Sequence, residues 1–340
     1  MLNERNYTID FFRYICALMV IAIHTHPLTD INQTAGYICT NVIPRIAVPF
    51  FFAVSGYYFF KETNSGKLIK RIKNVIIVYL IWSAVYYLPM LLLDIVKGKS
   101  YILLAKELVK KLFLTGTSFH LWYFCGLIYS MCIVVFLKRI KKVRVGFIIG
   151  IVLYAVGCIG ISYHQVAVSI PVLGAVFRND IFSKLRSIFC IGYPFFYMGY
   201  LINKILENKE EVCSNGKVIM WASISAFVFI CEVIAINYMK LSDNIITTFG
   251  LYPLTLCVLI LCINNPVRER VHGLGRMASS VSAFMYYSHV LFIWCVEMIN
   301  KILKIHISET PMFLFAAVGT TICGIIIYKS NIRFKKFFGL

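Results

Sequence analysis

Asp10, Arg13 and His24 lie in one apolar run, Ile9 to Leu28, which reads IDFFRYICALMVIAIHTHPL. In an α-helix each residue turns about 100° and rises about 1.5 Å, so the eleven steps from Arg13 to His24 close to about 20° and span about 16 Å. Asp10 falls within about 40° of His24 on the same reckoning, and all three share one face. His26 points about 160° away and leaves the set. Histidine exchanges a proton near neutral pH, which suits His24 to act as a general base on a hydroxyl. Arg13 can hold an anionic or carbonyl oxygen, with Asp10 orienting it from the preceding turn. The two ends of this face bracket a long ligand.

The elements that position these residues are membrane spans. Hydrophobic residues make up 60% of the 340 positions and charged residues 14%, whereas soluble domains run near half and a quarter. Windows of about 20 apolar residues give ten candidate spans, at 9–28, 41–60, 74–95, 120–137, 145–163, 187–205, 217–238, 245–263, 279–299 and 310–328. The fold class expected is an all-α polytopic membrane protein, a bundle of about ten transmembrane helices. With both termini cytoplasmic, most of the 34 Lys and Arg fall inside, including the clusters Lys61 to Lys73, Lys138 to Arg144, Arg268 to Arg276 and Lys329 to Lys336. Neither an internal repeat nor a linker breaks the chain, so residues 1–340 read as a single transmembrane domain. Asp10 and Arg13 interrupt the first apolar run, so it is expected to stay rather than be cleaved as a signal.

The net charge of +19 does not point to nucleic acid, because the basic residues alternate with apolar spans. It points to membrane lipids and orientation. Most of the twelve cysteines sit inside apolar runs, and no C-x-x-C occurs, so neither metal nor disulfide is expected. Tyr101 to Leu114 has apolar and charged residues on opposite sides; it reads as a helix in the membrane interface, or as one packed on its neighbours.

Other residues could join the first helix. Arg45 sits between Pro44 and Pro49 at the start of the second span, where a broken helix exposes backbone groups, or where Pro44 simply begins the helix and Arg45 snorkels to the interface. Ser55-Gly56 follows as a small pair suited to close helix packing. Lys70, Arg71 and Lys73 form a basic inner rim that would suit a ligand with several phosphates, or merely anionic lipid. His120 and Trp122 open the fourth span. In the ninth, His289 lies mid-membrane with Ser282 and Tyr286 on its side, as a satisfied interhelical histidine or a functional group. The carboxylates Asp94 and Glu232, in or beside spans three and seven, need a partner or a proton.

Acyl transfer from coenzyme A fits this layout: the phosphates would meet the basic rim while the pantetheine arm carries the thioester along the helix toward His24. A proton-coupled carrier fits it as well.

The sequences DFFR with a histidine eleven residues after the arginine, PFFFAVSGYYFF, KRIKNVIIVYLIWS and HLWYF together resemble the membrane-bound acyltransferase family 3. IDFFR…IAIHTHPL is also similar to the membrane half of VanT-type serine racemases. The resemblance covers the first four spans best; YYSH at Tyr286 to His289 extends it. It implies transfer of an acyl group from cytoplasmic acetyl-CoA or another acyl-CoA to a cell-envelope glycan or small molecule, in the plasma (inner) membrane. Catalytic roles pass to Arg13 and His24, with Asp10 beside them. Donor contacts pass, less cleanly, to Lys70, Arg71 and Lys73; the layout itself adds Arg45 to the donor contacts and offers Ser55, His120, Trp122, Tyr286 and His289 as substrate contacts. Lysines stand where the family has arginines after span two, and Val78 where a proline is common. A racemase half does not follow within the 340 residues, which reads as a stand-alone relative or a truncated chain. The alternative is a transporter for a small amino acid such as serine.

Overall fold

The computed structural model describes residues 5–60, 65–207, 212–242, 245–267 and 271–330. Lys61, Arg268, Arg270 and residues 331–336 of the basic clusters lie outside them. The described chain is helical throughout: α1 Tyr7–Thr25, α2 Gln33–Tyr37, α3 Ala47–Phe60, α4 Ser65–Val96, α5 Tyr101–Lys110, α6 Trp122–Arg139, α7 Val143–Gly157, α8 His164–Ser169, α9 Pro171–Phe177, α10 Asp180–Ser187, α11 Tyr193–Leu206, α12 Asn215–Tyr238, α13 Leu251–Asn264, α14 His272–Leu303 and α15 Glu309–Lys329. Nine helical segments among the described residues are long and apolar enough to cross a bilayer. The chain is an all-α, multi-pass membrane protein. The span expected at 245–263 is realised as the shorter α13, because residues 245–250 are not helical.

The chain divides into two compact units, one of Met1–Phe51, Glu211–Ile230 and Pro253–Leu340, the other of Phe52–Glu210 and Cys231–Tyr252. In the first, α1, α14 and α15 pack on one another. The side chain of Asn6 caps α1 by accepting from the Thr8 and Ile9 amides at 3.0 and 3.2 Å, and its own amide donates to the Cys262 carbonyl at the end of α13 at 2.8 Å. His26 ends α1 in the left-handed conformation, with φ 52°. On α15 one row of residues four apart, Leu314, Val318, Ile322 and Ile326, is more than half exposed, as lipid-facing side chains are. The buried side of the same helix carries Ala316, Ala317, Thr320 and Gly324, small residues that let α14 approach.

Beyond α1, the Asp30 carboxylate accepts from the Thr310 hydroxyl at 2.5 Å and its amide at 3.3 Å. These bonds, with one from Ser308, hold Asp30 below the usual carboxylate range. The clip therefore contributes at neutral pH and is lost as pH falls through that lowered range.

In the second unit, α11 packs on α6 and α7. Between α3 and α11 two glycines meet backbone directly: a Cβ on Gly56 would stand 1.8 Å from the Phe196 carbonyl oxygen, and one on Gly199 1.7 Å from that of Ala53. The Asn203 amide adds a bond to the Tyr57 carbonyl at 2.7 Å. Ser55-Gly56 is thus in close packing, with Gly56 making the approach.

Glu232 accepts from the Tyr163 hydroxyl at 2.8 Å and from the Phe249 and Gly250 amides at 2.9 and 3.0 Å. Asp94 pairs with Lys99 at 2.9 Å. Both carboxylates are structural anchors. Glu232→Leu, which leaves two amides and a phenol unsatisfied, is expected to cost about 1–3 kcal/mol, measured as a lowered melting temperature of the detergent-solubilised protein.

The helix α5 buries Leu104, while Tyr101, Ile102, Leu103 and Val109 remain more than half exposed. Exposed apolar residues beside the Lys111–Glu107 pair at 2.7 Å fit the membrane-interface reading better than that of a helix packed on its neighbours.

Candidate functional site

The Asp10 end of α1 is a small charged cluster. Asp10 is 1% exposed and lies 2.5 Å from Arg5 Nε and 3.7 Å from Arg13 Nη1. Arg13 Nη1 also donates to the Ser279 hydroxyl on α14 at 2.7 Å. Two guanidiniums and one carboxylate leave a net positive charge. The Arg13 Nε–H is buried without a hydrogen-bond partner among the described residues, so its donors are not exhausted by the protein.

At the other end of α1, the rings of His24 and His289 stack with centroids 5.4 Å apart and planes 16° from parallel. His289 Nδ1 lies 2.9 Å from the Tyr286 carbonyl and 3.2 Å from that of Met285. A carbonyl only accepts, so Nδ1 carries the hydrogen and Nε2 of the neutral ring presents a lone pair. Tyr286 stands beside it, 6.2 Å away ring to ring, and packs edge-on against Phe51.

Arg13 meets residue 279 and His24 meets residue 289, so α1 and α14 run parallel. Arg13 and His24, expected on one face, both meet α14, while Asp10 pairs with Arg5 and Arg13. His26 lies past the helix end and is exposed.

Arg45 lies at the His24 end. Between α2 and α3 the chain makes a wide π turn over Ile38–Val42 and a tight 3₁₀ turn over Ile43–Ile46. Pro44 begins the tight turn, and Pro49 falls in the first turn of α3, where its missing N–H costs nothing. The helix runs on through both turns, so Gln33–Phe59 is one distorted span rather than a broken one. Arg45 donates to the Asn41 carbonyl at 3.2 Å and to its side-chain oxygen.

The remaining expected residues belong to the second unit. Ser55 and the Tyr123 hydroxyl are 3.1 Å apart, and Phe52 packs on Tyr123 and Trp122 at 4.5 and 5.8 Å. His120 is buried, with Ser118 Oγ 3.2 Å from its Nδ1 and the Tyr86 ring edge-on at 4.8 Å. Lys70 and Lys73 are exposed near the start of α4. Arg71 instead turns inward, donating to the Tyr58 carbonyl at 2.7 Å and lying over the Phe59 ring, so it closes the end of α3.

Comparison with known proteins bears on what this arrangement is for. A family model described as an acyltransferase domain, that of acyltransferase family 3, matches residues 6–329. The chain belongs to acyltransferase family 3. It is also similar to an amino-acid racemase of Enterococcus faecalis, 34% identical over 183 residues that cover 53% of this chain and 25% of the relative. A second amino-acid racemase of that organism is 32% identical over 184 residues, covering 52% and 26%. A serine/alanine racemase of Enterococcus gallinarum is 34% identical over 216 residues, covering 61% and 30%. The matches thus span between a quarter and a third of each relative's length. No solved structure matches.

Several neighbours in this acyltransferase chain escape a reading by sequence. Arg5 precedes the apolar run and has no periodic relation to it, yet the capped turn at Asn6 brings it onto Asp10. Ser279 lies ten residues before His289, nearly the Arg13-to-His24 spacing, a signal visible only once α1 and α14 are known to be parallel. Tyr37, Thr40 and Asn41 lie in a stretch whose π turn no simple period describes.

Proposed function

We propose that this protein is an integral membrane acyltransferase that moves an acetyl or other acyl group from cytoplasmic acyl-CoA to a hydroxyl or amine of a cell-envelope glycan or small molecule. Both termini face the cytoplasm in this reading, and residues 1–340 act as one transmembrane domain in the plasma membrane. The observation that carries it is the helix pair α1 and α14, which holds Arg13 and His24 on a common face, in a chain of an acyltransferase family.

Arg13 holds the donor through its remaining N–H groups, positioned by Asp10 and Ser279. His24 takes the proton of the acceptor as the acceptor's oxygen or nitrogen bonds to the thioester carbon; the carbon–sulfur bond then breaks and His24 returns the proton to the sulfur, so the coenzyme leaves as the thiol. In the alternative order His24 carries the acyl group itself before passing it on. His289, its tautomer set by two carbonyls, fixes the plane of the His24 ring. Tyr286, beside His289, contributes a contact to the acceptor.

Purified protein in detergent or nanodiscs is expected to bind acetyl-CoA by calorimetry and to turn it over with an added acceptor or with water. Absence of both would refute the proposal. Ser279→Ala removes a bond to a charged group and is expected to raise the KM for acetyl-CoA about tenfold, with kcat little changed.

A second reading is favoured by the printed names of the relatives, amino-acid and serine/alanine racemases: carriage of a small amino acid such as serine across the membrane. Uptake of labelled serine into proteoliposomes free of acyl-CoA would establish it.

A further inference from the structure

We infer that Arg45, Tyr37 and Thr40 form an oxyanion-binding subsite beside His24, which takes the carboxylate or similarly charged group of a small ligand. The subsite begins with a charge that the protein leaves unbalanced. Arg45 sits in a membrane-spanning segment, and none of the four ion pairs among the described residues includes it. Its hydrogen bonds go to Asn41, a neutral amide. A cation held within a span without a counter-charge costs about 2.5 kcal/mol or more, and such residues mark ligand paths.

Two hydroxyls of the same segment are left unsatisfied. Tyr37, Asn41 and Arg45 form a row four residues apart, and Thr40 follows Tyr37 by three. Thr40 is 1% exposed. Its hydroxyl and that of Tyr37 are buried without a hydrogen-bond partner among the described residues. A buried hydroxyl left unpaired costs about 1–3 kcal/mol, so two of them in the segment that carries an unbalanced guanidinium describe a site built for a guest.

The sign of the guest follows from the donors. The guanidinium only donates, and each hydroxyl can donate. Arg45 repels a cation, while a bidentate oxyanion satisfies the fork. The π and 3₁₀ turns pack against α1, and the charge of Arg45 is felt at both Tyr37 and His24. A bound anion is therefore held near the imidazole and about 16 Å along α1 from Arg13. This placement moves Arg45 from the donor contact expected of it to the other ligand. Calling that ligand the acceptor rests on the proposed acyl transfer; the binding itself does not.

Binding of L-lactate, its neutral isostere lactamide and sn-glycerol 3-phosphate to the purified, full-length protein tests this directly, by ligand-observed NMR with thermal shift as a second readout. L-lactate or glycerol phosphate is expected to bind at millimolar concentration and lactamide is not; lactate alone assigns the anion to a carboxylate, and glycerol phosphate alone to a phosphate. Arg45→Gln is expected to weaken binding at least about tenfold and Tyr37→Phe or Thr40→Val about fivefold, with Lys301→Gln as the unchanged control. The two hydroxyl variants keep the test alive should Arg45→Gln not fold. Failure of both anions to bind, equal binding of lactamide, or binding indifferent to Tyr37→Phe and Thr40→Val overturns the inference. Acetyl-CoA turnover without anion binding removes this subsite and spares the acyltransferase, whereas anion binding without turnover does the reverse.

Discussion

His24→Ala is expected to lower acetyl-CoA turnover by about 10²- to 10⁴-fold, the usual worth of a positioned general base, while His26→Ala leaves it within about twofold of wild type. The contrast is the informative part. Both residues are histidines, two positions apart, at the same end of α1. His24 stacks on His289 on the face turned to α14; His26 is exposed, past the last helical turn, in a left-handed conformation. A general electrostatic or lipid-anchoring role for this end of the helix would make them equivalent. A chemical role makes them unequal. The loss should appear in kcat, with acetyl-CoA affinity by calorimetry retained because Arg13 is untouched. An unchanged melting temperature separates lost chemistry from lost structure. Turnover by His24→Ala near the wild-type rate would remove His24 from the mechanism.

The second large effect is structural. Gly199→Ala and Gly56→Ala each place a methyl group less than 2 Å from a backbone oxygen of the facing helix. Neither oxygen can rotate away, because each belongs to a helix backbone. α3 and α11 must separate, at a cost of about 1–3 kcal/mol or more per substitution. The measurements are melting temperature and the yield of monodisperse protein. Gly216→Ala, at the start of α12, meets nothing within 4 Å and is expected to be neutral or slightly stabilising, since alanine favours a helix over glycine by about 1 kcal/mol. An undiminished melting temperature for Gly199→Ala would contradict the backbone approach.

The features legible in the sequence are those governed by one helical period. The spans were visible from apolar length alone, and the common face of Asp10, Arg13 and His24 follows from residue spacing because α1 is regular from Tyr7 to Thr25. Legibility fails where another helix supplies the partner. Spacing along α1 cannot name Ser279, which reaches Arg13 across 266 residues. It fails again where the helical period changes, as at Ile38–Val42, so spacing does not single out Tyr37 and Thr40. Lys70, Arg71 and Lys73 read as one basic rim, yet Arg71 has the Tyr58 carbonyl within reach and turns inward. Composition counts charges but does not distinguish a capping arginine from exposed lysines.

The parallel pairing of α1 with α14 also has a consequence for biogenesis. The face bearing Asp10, Arg13 and His24 is made first, and its partner is synthesised 266 residues later, about 13–50 s at ordinary rates of translation. For that interval a charged helix face must be sheltered by something other than its native neighbour, whether the insertion machinery, water or earlier helices. The polarity that equips α1 for chemistry thus makes it a helix whose membrane insertion is completed late, and chains interrupted before α14 would expose it to quality-control proteases.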